Sequence, residues 1–137
     1  MIRVGGILET ALYVDDLARS SAFYRDLFGF DALIESERIV ALAVAEQDVL
    51  LLFKRGATDE PVQLEDGFIP PHGAGGRIHL AFSISSDMLP HWEAHLKEHN
   101  VKIESRHTWP RGGTSLYFRD PDGHLVELVT PGCWATY

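Results

Sequence analysis

The sequence predicts an α+β fold of two tandem βαβββ modules, and three observations carry that prediction. Two stretches of alternating apolar residues, ILETALYV and RIHLAFSI, open the two halves of the chain. Each is followed by a helix-like stripe with a capping residue at its start, and then by three short strand-like runs. Laid over one another, the halves place Glu9 on His79 and Leu52 on Glu127. Few residues are identical, but a tandem duplication of about sixty residues accounts for the order of elements better than one irregular sheet.

In chain order, a strand is expected from Ile7 to Val14, with Leu8, Thr10, Leu12 and Val14 on one face and Ile7, Glu9, Ala11 and Tyr13 on the other. A helix should run from Leu17 to Phe28, capped by Asp15 or Asp16, with Gly29 at its left-handed end. Strands over Asp31–Glu35, Ile39–Ala45 and Val49–Lys54 complete module one, about residues 7–55. Residues 56–76, rich in Gly, Pro and acidic groups, read as a linker or lid, long for a connector inside a compact domain. Module two, about 77–131, starts with a strand from Arg77 to Ile84. Its helix should reach about His99, capped by Ser85 or Ser86, with Asn100 in the role of Gly29. Strands at Val101–His107, Thr114–Arg119 and Leu125–Thr130 follow, the last two closing a hairpin around Asp120, Pro121, Asp122 and Gly123.

A chain of 137 residues with 45% apolar residues fits one domain, or two half-size units sharing a core. Its formal charge of -8 argues against nucleic acid or an anionic membrane as a partner, because both reward clustered Lys and Arg. Cys133 is the one cysteine, which excludes an intrachain disulfide and a cysteine-rich metal site. No apolar run has the length of a membrane span and the opening lacks a signal-peptide core, so a soluble cytoplasmic protein is expected.

Glu127 interrupts the apolar run His124 to Val129, and a carboxylate enclosed there needs a partner. Related modules around a pseudo-twofold would make Glu9 and His79 neighbours and aim Glu127 at the same wall. One imidazole and two carboxylates suit a divalent metal such as Zn, Mn, Fe, Ni or Co, with positions open for water and a small-molecule substrate. A solvated sheet face would carry the same residue types. Against it, Ala11, Ala81, Leu52, Leu125 and Val129 share these faces and look like a pocket lining. Around the site, Trp109, Arg111, Ser115 and Tyr117 are candidates for substrate binding, with Arg111 as an anion clamp. His72 reads as loop surface or as a fourth ligand, and His91, His95 and His99 as partly exposed helix residues.

The segments LETALYVDDLARSSAFYRDLFGF, GRIHLAFSI and SLYFRDPDGHLVEL resemble the opening, middle and closing motifs of the vicinal oxygen chelate superfamily, the glyoxalase/bleomycin resistance/dioxygenase group. The resemblance spans Ile7 to Pro131. It implies a cupped mixed sheet with the helices outside, a homodimer, and metal ligands at Glu9, His79 and Glu127. It further implies a metal that holds adjacent substrate oxygens, catalytic roles for Glu9, Glu127 and Tyr117, and Glu9 doubling as a proton shuttle. Two departures are visible: the first ligand place, often His, holds Glu9, and the fourth place of the glyoxalases falls on Leu52. The resemblance therefore points to a metal-dependent lyase, isomerase or transferase. Bleomycin-resistance relatives offer a second reading, a metal-free drug-binding protein. An extradiol dioxygenase is a third: Tyr117, Asp120, Pro121, Gly123 and Glu127 resemble its closing signature, but His107 stands out of place for its upstream histidine.

Overall fold

A computed structural model describes residues 1–137, and the chain divides into two compact units, Met1–Gly76 and Arg77–Tyr137. The first contains β1 (Glu9–Val14), α1 (Leu17–Phe28), β2 (Asp31–Glu35), β3 (Ile39–Ala43), β4 (Val49–Lys54), β5 (Val62–Leu64) and β6 (Gly67–Ile69). Its main sheet has the order β1-β4-β3-β2, with β1 parallel to β4 and the other neighbours antiparallel. The second contains β7 (His79–Ser83), a 3-10 turn (Ser86–Met88), α2 (Leu89–Glu98), β8 (Ser105–Thr108), β9 (Thr114–Arg119) and β10 (Leu125–Val129). Its order β7-β10-β9-β8, with β7 parallel to β10, repeats the first sheet strand for strand. The chain has the predicted α+β class, with two four-stranded sheets and two α-helices.

Local chemistry explains most boundaries. Asp16 accepts a hydrogen bond from the Arg19 N–H at 3.0 Å and starts α1, and Gly29 ends it at φ 73°. Asn100 takes φ 56° after α2, the left-handed role expected of it. The Ser85 or Ser86 cap is not made. The chain enters through a 3-10 turn, so α2 starts three residues later, with Pro90 in the first turn where its missing N–H costs nothing. The strand expected from Val101 begins only at Ser105, because the Val101 N–H donates instead to Leu96 O at 2.9 Å and closes the helix end. Residues 56–76 are not a bare connector. They hold the β5/β6 hairpin, turned by Glu65 and Asp66, and they fall within the first unit.

In each unit one sheet face is buried. Leu12, Val14, Leu42, Leu50 and Leu52 are at most 1% exposed in the first, as are Leu116, Phe118, Val126 and Leu128 in the second. Each side chain of this kind contributes roughly 1.5–3 kcal/mol by leaving water. The residues that alternate with them, Glu9, Ala11 and Tyr13 in β1 and His79, Ala81 and Ser83 in β7, lie on the opposite face. No helix is long and apolar enough to cross a membrane.

Candidate metal centre

Strand register decides which side chains meet. β7 and β10 run parallel with Leu125 beside His79 and Glu127 beside Ala81, so His79 and Glu127 are diagonal neighbours on one face. Tyr117 pairs with Glu127 across β9/β10 and joins the same face. His79 Nε2 lies 3.3 Å from Glu127 Oε1. The Glu127 side chain is only 8% exposed, whereas the His79 side chain is half exposed.

Hydrogen bonds fix the orientation of both groups. His79 Nδ1 stands 2.9 Å from the Leu125 carbonyl oxygen, which can only accept, so Nδ1 carries a proton and donates it. In neutral His79 the Nε2 atom therefore presents a lone pair to a carboxylate oxygen. Two acceptors facing each other at 3.3 Å repel unless a proton or a metal cation lies between them. Two ligand atoms each about 2.1 Å from one metal are about 3.0–3.4 Å apart for angles between about 90° and the tetrahedral value, so this spacing fits ligation of one metal. A metal-bound histidine that donates its other N–H to a carbonyl is the usual supporting arrangement.

The remaining carboxylate oxygen is held from behind. Ser115 Oγ donates to Glu127 Oε2 at 2.6 Å and accepts from Trp109 Nε1 at 2.7 Å. Ser115 is fully buried. The Tyr117 hydroxyl stays protonated above its ordinary range, chiefly because burial disfavours the phenolate, with the Glu127 charge acting in the same sense. Burial also pushes the Cys133 thiol up, with Glu127 again adding to it, which keeps it a thiol near neutrality. Arg111 is exposed in the turn between β8 and β9, and His107 lies edge-on to Trp109, centroids 4.5 Å apart.

The predicted residues are thus only partly gathered. His79, Glu127, Ser115, Tyr117 and Trp109 assemble in the second unit. Glu9 is exposed at the start of β1, and the single chain gathers no three His, Cys, Asp or Glu side chains that would hold a metal. One correction concerns register. β1 pairs Glu9 with Val49 and Ala11 with Leu51, so the counterpart of Glu127 in the first sheet is Leu51 rather than Leu52. Leu52 is wholly buried on the helix side and corresponds to Leu128. The expected pocket lining loses Leu52 and gains Leu51, and the vacant fourth place remains apolar.

His72 is not plain loop surface but is held within the first unit. Its Nδ1 pairs with the Tyr13 hydroxyl at 2.6 Å, its ring sits edge-on to Phe53, and the Thr58 hydroxyl donates to its carbonyl. These contacts tie the 56–76 segment to the first sheet. His91 and His99 are exposed and His95 half-buried, as expected of a helix surface. A residue the sequence reading missed is His124. It is wholly buried, and its Nδ1 accepts the Ile78 N–H at 2.9 Å, which fixes the start of β7 and so the place of His79. Its position right after a turn glycine gave no sign of burial.

The chain is similar to several known proteins. A family model, the Glyoxalase/Bleomycin resistance protein/Dioxygenase superfamily, matches residues 6–128. The metallothiol transferase FosB of Staphylococcus haemolyticus is 33% identical over 128 residues, 93% of this chain and 84% of that protein. A lactoylglutathione lyase structure from Agrobacterium tumefaciens superposes with a TM-score of 0.87 at 33% identity, covering 96% and 98% of the two chains. The fosfomycin resistance protein FosX of Listeria monocytogenes, solved with Mn(II) and sulfate, shares the fold at a TM-score of 0.69 and 22% identity, over 93% and 91%. The chain belongs to the Glyoxalase/Bleomycin resistance protein/Dioxygenase superfamily.

Proposed function

We propose that this chain is a divalent-metal-dependent enzyme that binds adjacent oxygens of a small substrate and catalyses a transferase- or lyase-type reaction involving a thiol. The observation that carries this reading is the opposition of His79 Nε2 and Glu127 Oε1 at 3.3 Å, two acceptors oriented for one cation. A metal bound there would supply Lewis-acid polarisation of the substrate oxygens. Tyr117, kept protonated, serves as a hydrogen-bond donor to a substrate oxygen rather than as a base. The thiol is assigned to a second substrate. The names of two relatives, a metallothiol transferase and a lactoylglutathione lyase, support a thiol as the second reactant. Arg111, exposed nearby in sequence, is assigned to an anionic group on the substrate.

Glu9 is assigned as the third ligand, supplied by a second copy of the chain in a homodimer, and as the proton shuttle. Beside it, Ile7 and Leu8 are 84% and 62% exposed, an apolar edge suited to cover by another chain. Mixed dimers test this assignment. Glu9→Ala co-assembled with Glu127→Ala should regain one metal site per two chains if sites are shared, and none if each chain builds its own.

The wider reading is tested by metal analysis of protein purified without chelator or affinity nickel. Stoichiometric metal in the wild type, lost from His79→Ala and Glu127→Ala with the fold retained, is the expected result. Loaded protein should then consume a thiol such as glutathione with fosfomycin as the oxygenated partner. Folded wild type that takes up no metal would overturn this reading and leave the metal-free binding protein in its place.

A further inference from the structure

The orientation of Glu127 is set by a chain of hydrogen bonds whose direction is fixed at its far end. An indole N–H can only donate, so Trp109 Nε1 gives its proton to Ser115 Oγ, and Ser115 must turn its own proton to Glu127 Oε2. Glu127 Oε2 then accepts from Ser115, the Tyr117 hydroxyl is a further hydrogen-bonding neighbour of the carboxylate and of Ser115, and Oε1 lies beside His79 Nε2. The anchor of the chain is rigid. Trp109 stands in a turn closed by its N–H to Gly113 O at 2.7 Å and by Gly112 N–H to Trp109 O at 2.9 Å. The turn is pinned to the segment after β10, where Gly113 N–H donates to Gly132 O at 3.2 Å. A β-carbon on Gly113 would lie 2.6 Å from the Gly132 carbonyl carbon, so only glycine permits this approach.

We propose that Trp109 and Ser115 are positioning residues that hold Glu127 to one-oxygen ligation, leaving neighbouring metal positions open for a substrate that binds through two oxygens. Ser115 is fully buried, which removes it from direct contact with substrate, the role its residue type had implied. The consequence for the metal rests on the proposed function; the hydrogen-bond chain does not. Loss of such supporting partners typically weakens metal affinity by about 10–100-fold.

The test uses Ser115→Ala, Trp109→Phe and the hydroxyl-preserving Ser115→Thr in the full chain. In metal-free protein the indole N–H resonance of Trp109, identified by its absence in Trp109→Phe, should shift in Ser115→Ala and stay near its wild-type place in Ser115→Thr. Titration with Mn(II) should show affinity falling about 10–100-fold in Ser115→Ala and Trp109→Phe, with Ser115→Thr close to wild type. An unmoved indole resonance overturns the hydrogen-bond chain, whatever the metal result. Affinity within about twofold of wild type in folded Ser115→Ala and Trp109→Phe overturns its role in ligation. Wild type that binds no metal overturns the metal reading, while the indole resonance still decides the chain on its own. Circular dichroism on each variant separates these effects from a lost fold, and Trp109→Phe, at a half-buried turn position, serves if Ser115→Ala fails to fold.

Discussion

The two sheets share one topology and differ in what they hold on equivalent positions. In the second, the diagonal pair across the parallel strands is His79 and Glu127, preassembled and supported by Ser115. In the first, the same diagonal is Glu9 and Leu51, a carboxylate opposite an aliphatic side chain. There the neighbouring polar contact, Tyr13 with His72, ties down the 56–76 segment. A duplicated scaffold thus fixes where a side chain points, and its identity decides whether the place holds a metal-capable group or an aliphatic wall.

The sharpest way to break that comparison is to remove one carboxylate from each sheet. Glu127→Ala should abolish stoichiometric metal retention, measured by elemental analysis, because it strips the preassembled pair. Glu9→Ala, which removes the assigned third ligand, should weaken retention beyond the roughly 10–100-fold typical of a lost supporting partner but leave the His79–Glu127 pair in place. Equal retention in Glu9→Ala and wild type would exclude the first sheet from the site.

The next effect sharpens the register. Leu52→Ala should cost about 2–5 kcal/mol of unfolding free energy in denaturant titration, since Leu52 is wholly buried and its loss leaves a cavity. Leu51→Ala, on the half-exposed face, should cost well under about half of that. The reverse order would restore Leu52 to the site wall.

A smaller effect is expected at the first sheet's own polar contact. Tyr13→Phe removes the hydroxyl bonded to His72 and should cost about 0.5–1.5 kcal/mol, with faster proteolytic nicking within 56–76. Metal retention should not change. The smallest concerns the exposed pair Glu104–Arg119 in the second unit, where the Arg119 hydrogen bond holds the Glu104 carboxyl below its ordinary range. A depressed carboxylate stabilises the fold above the unfolded value, near about pH 4, and that contribution is lost as pH falls through the folded value. Glu104→Gln should therefore melt slightly below wild type at neutral pH and converge with it as pH falls below about 4, a small difference because the pair is exposed.

Much of the fold was legible because local signals agreed with tertiary packing. α1 and the strands Asp31–Glu35, Val49–Lys54 and Thr114–Arg119 fall where periodicity and turn residues put them. The β5/β6 hairpin was hidden by an acidic, proline-rich composition, and Leu64 and Phe68 remain largely exposed even when paired. The shift from Leu52 to Leu51 was hidden for a different reason. VLLLFK is apolar at successive positions, so alternation does not mark its faces, and a one-residue slip exchanges them.

By itself the sequence determined the class, the repeat, the charge balance that disfavours nucleic acid, and a short set of residues able to bind metal. Those follow from patterns of period 2 and 3.6 and from side-chain chemistry, which need no long-range information. Only the tertiary structure decided that His79 and Glu127 meet, that Leu51 and not Leu52 faces their counterpart's place, and that Ser115 is buried with its hydroxyl on Glu127. Each depends on strand register and burial, which residues far apart in the chain fix together and no local stretch encodes.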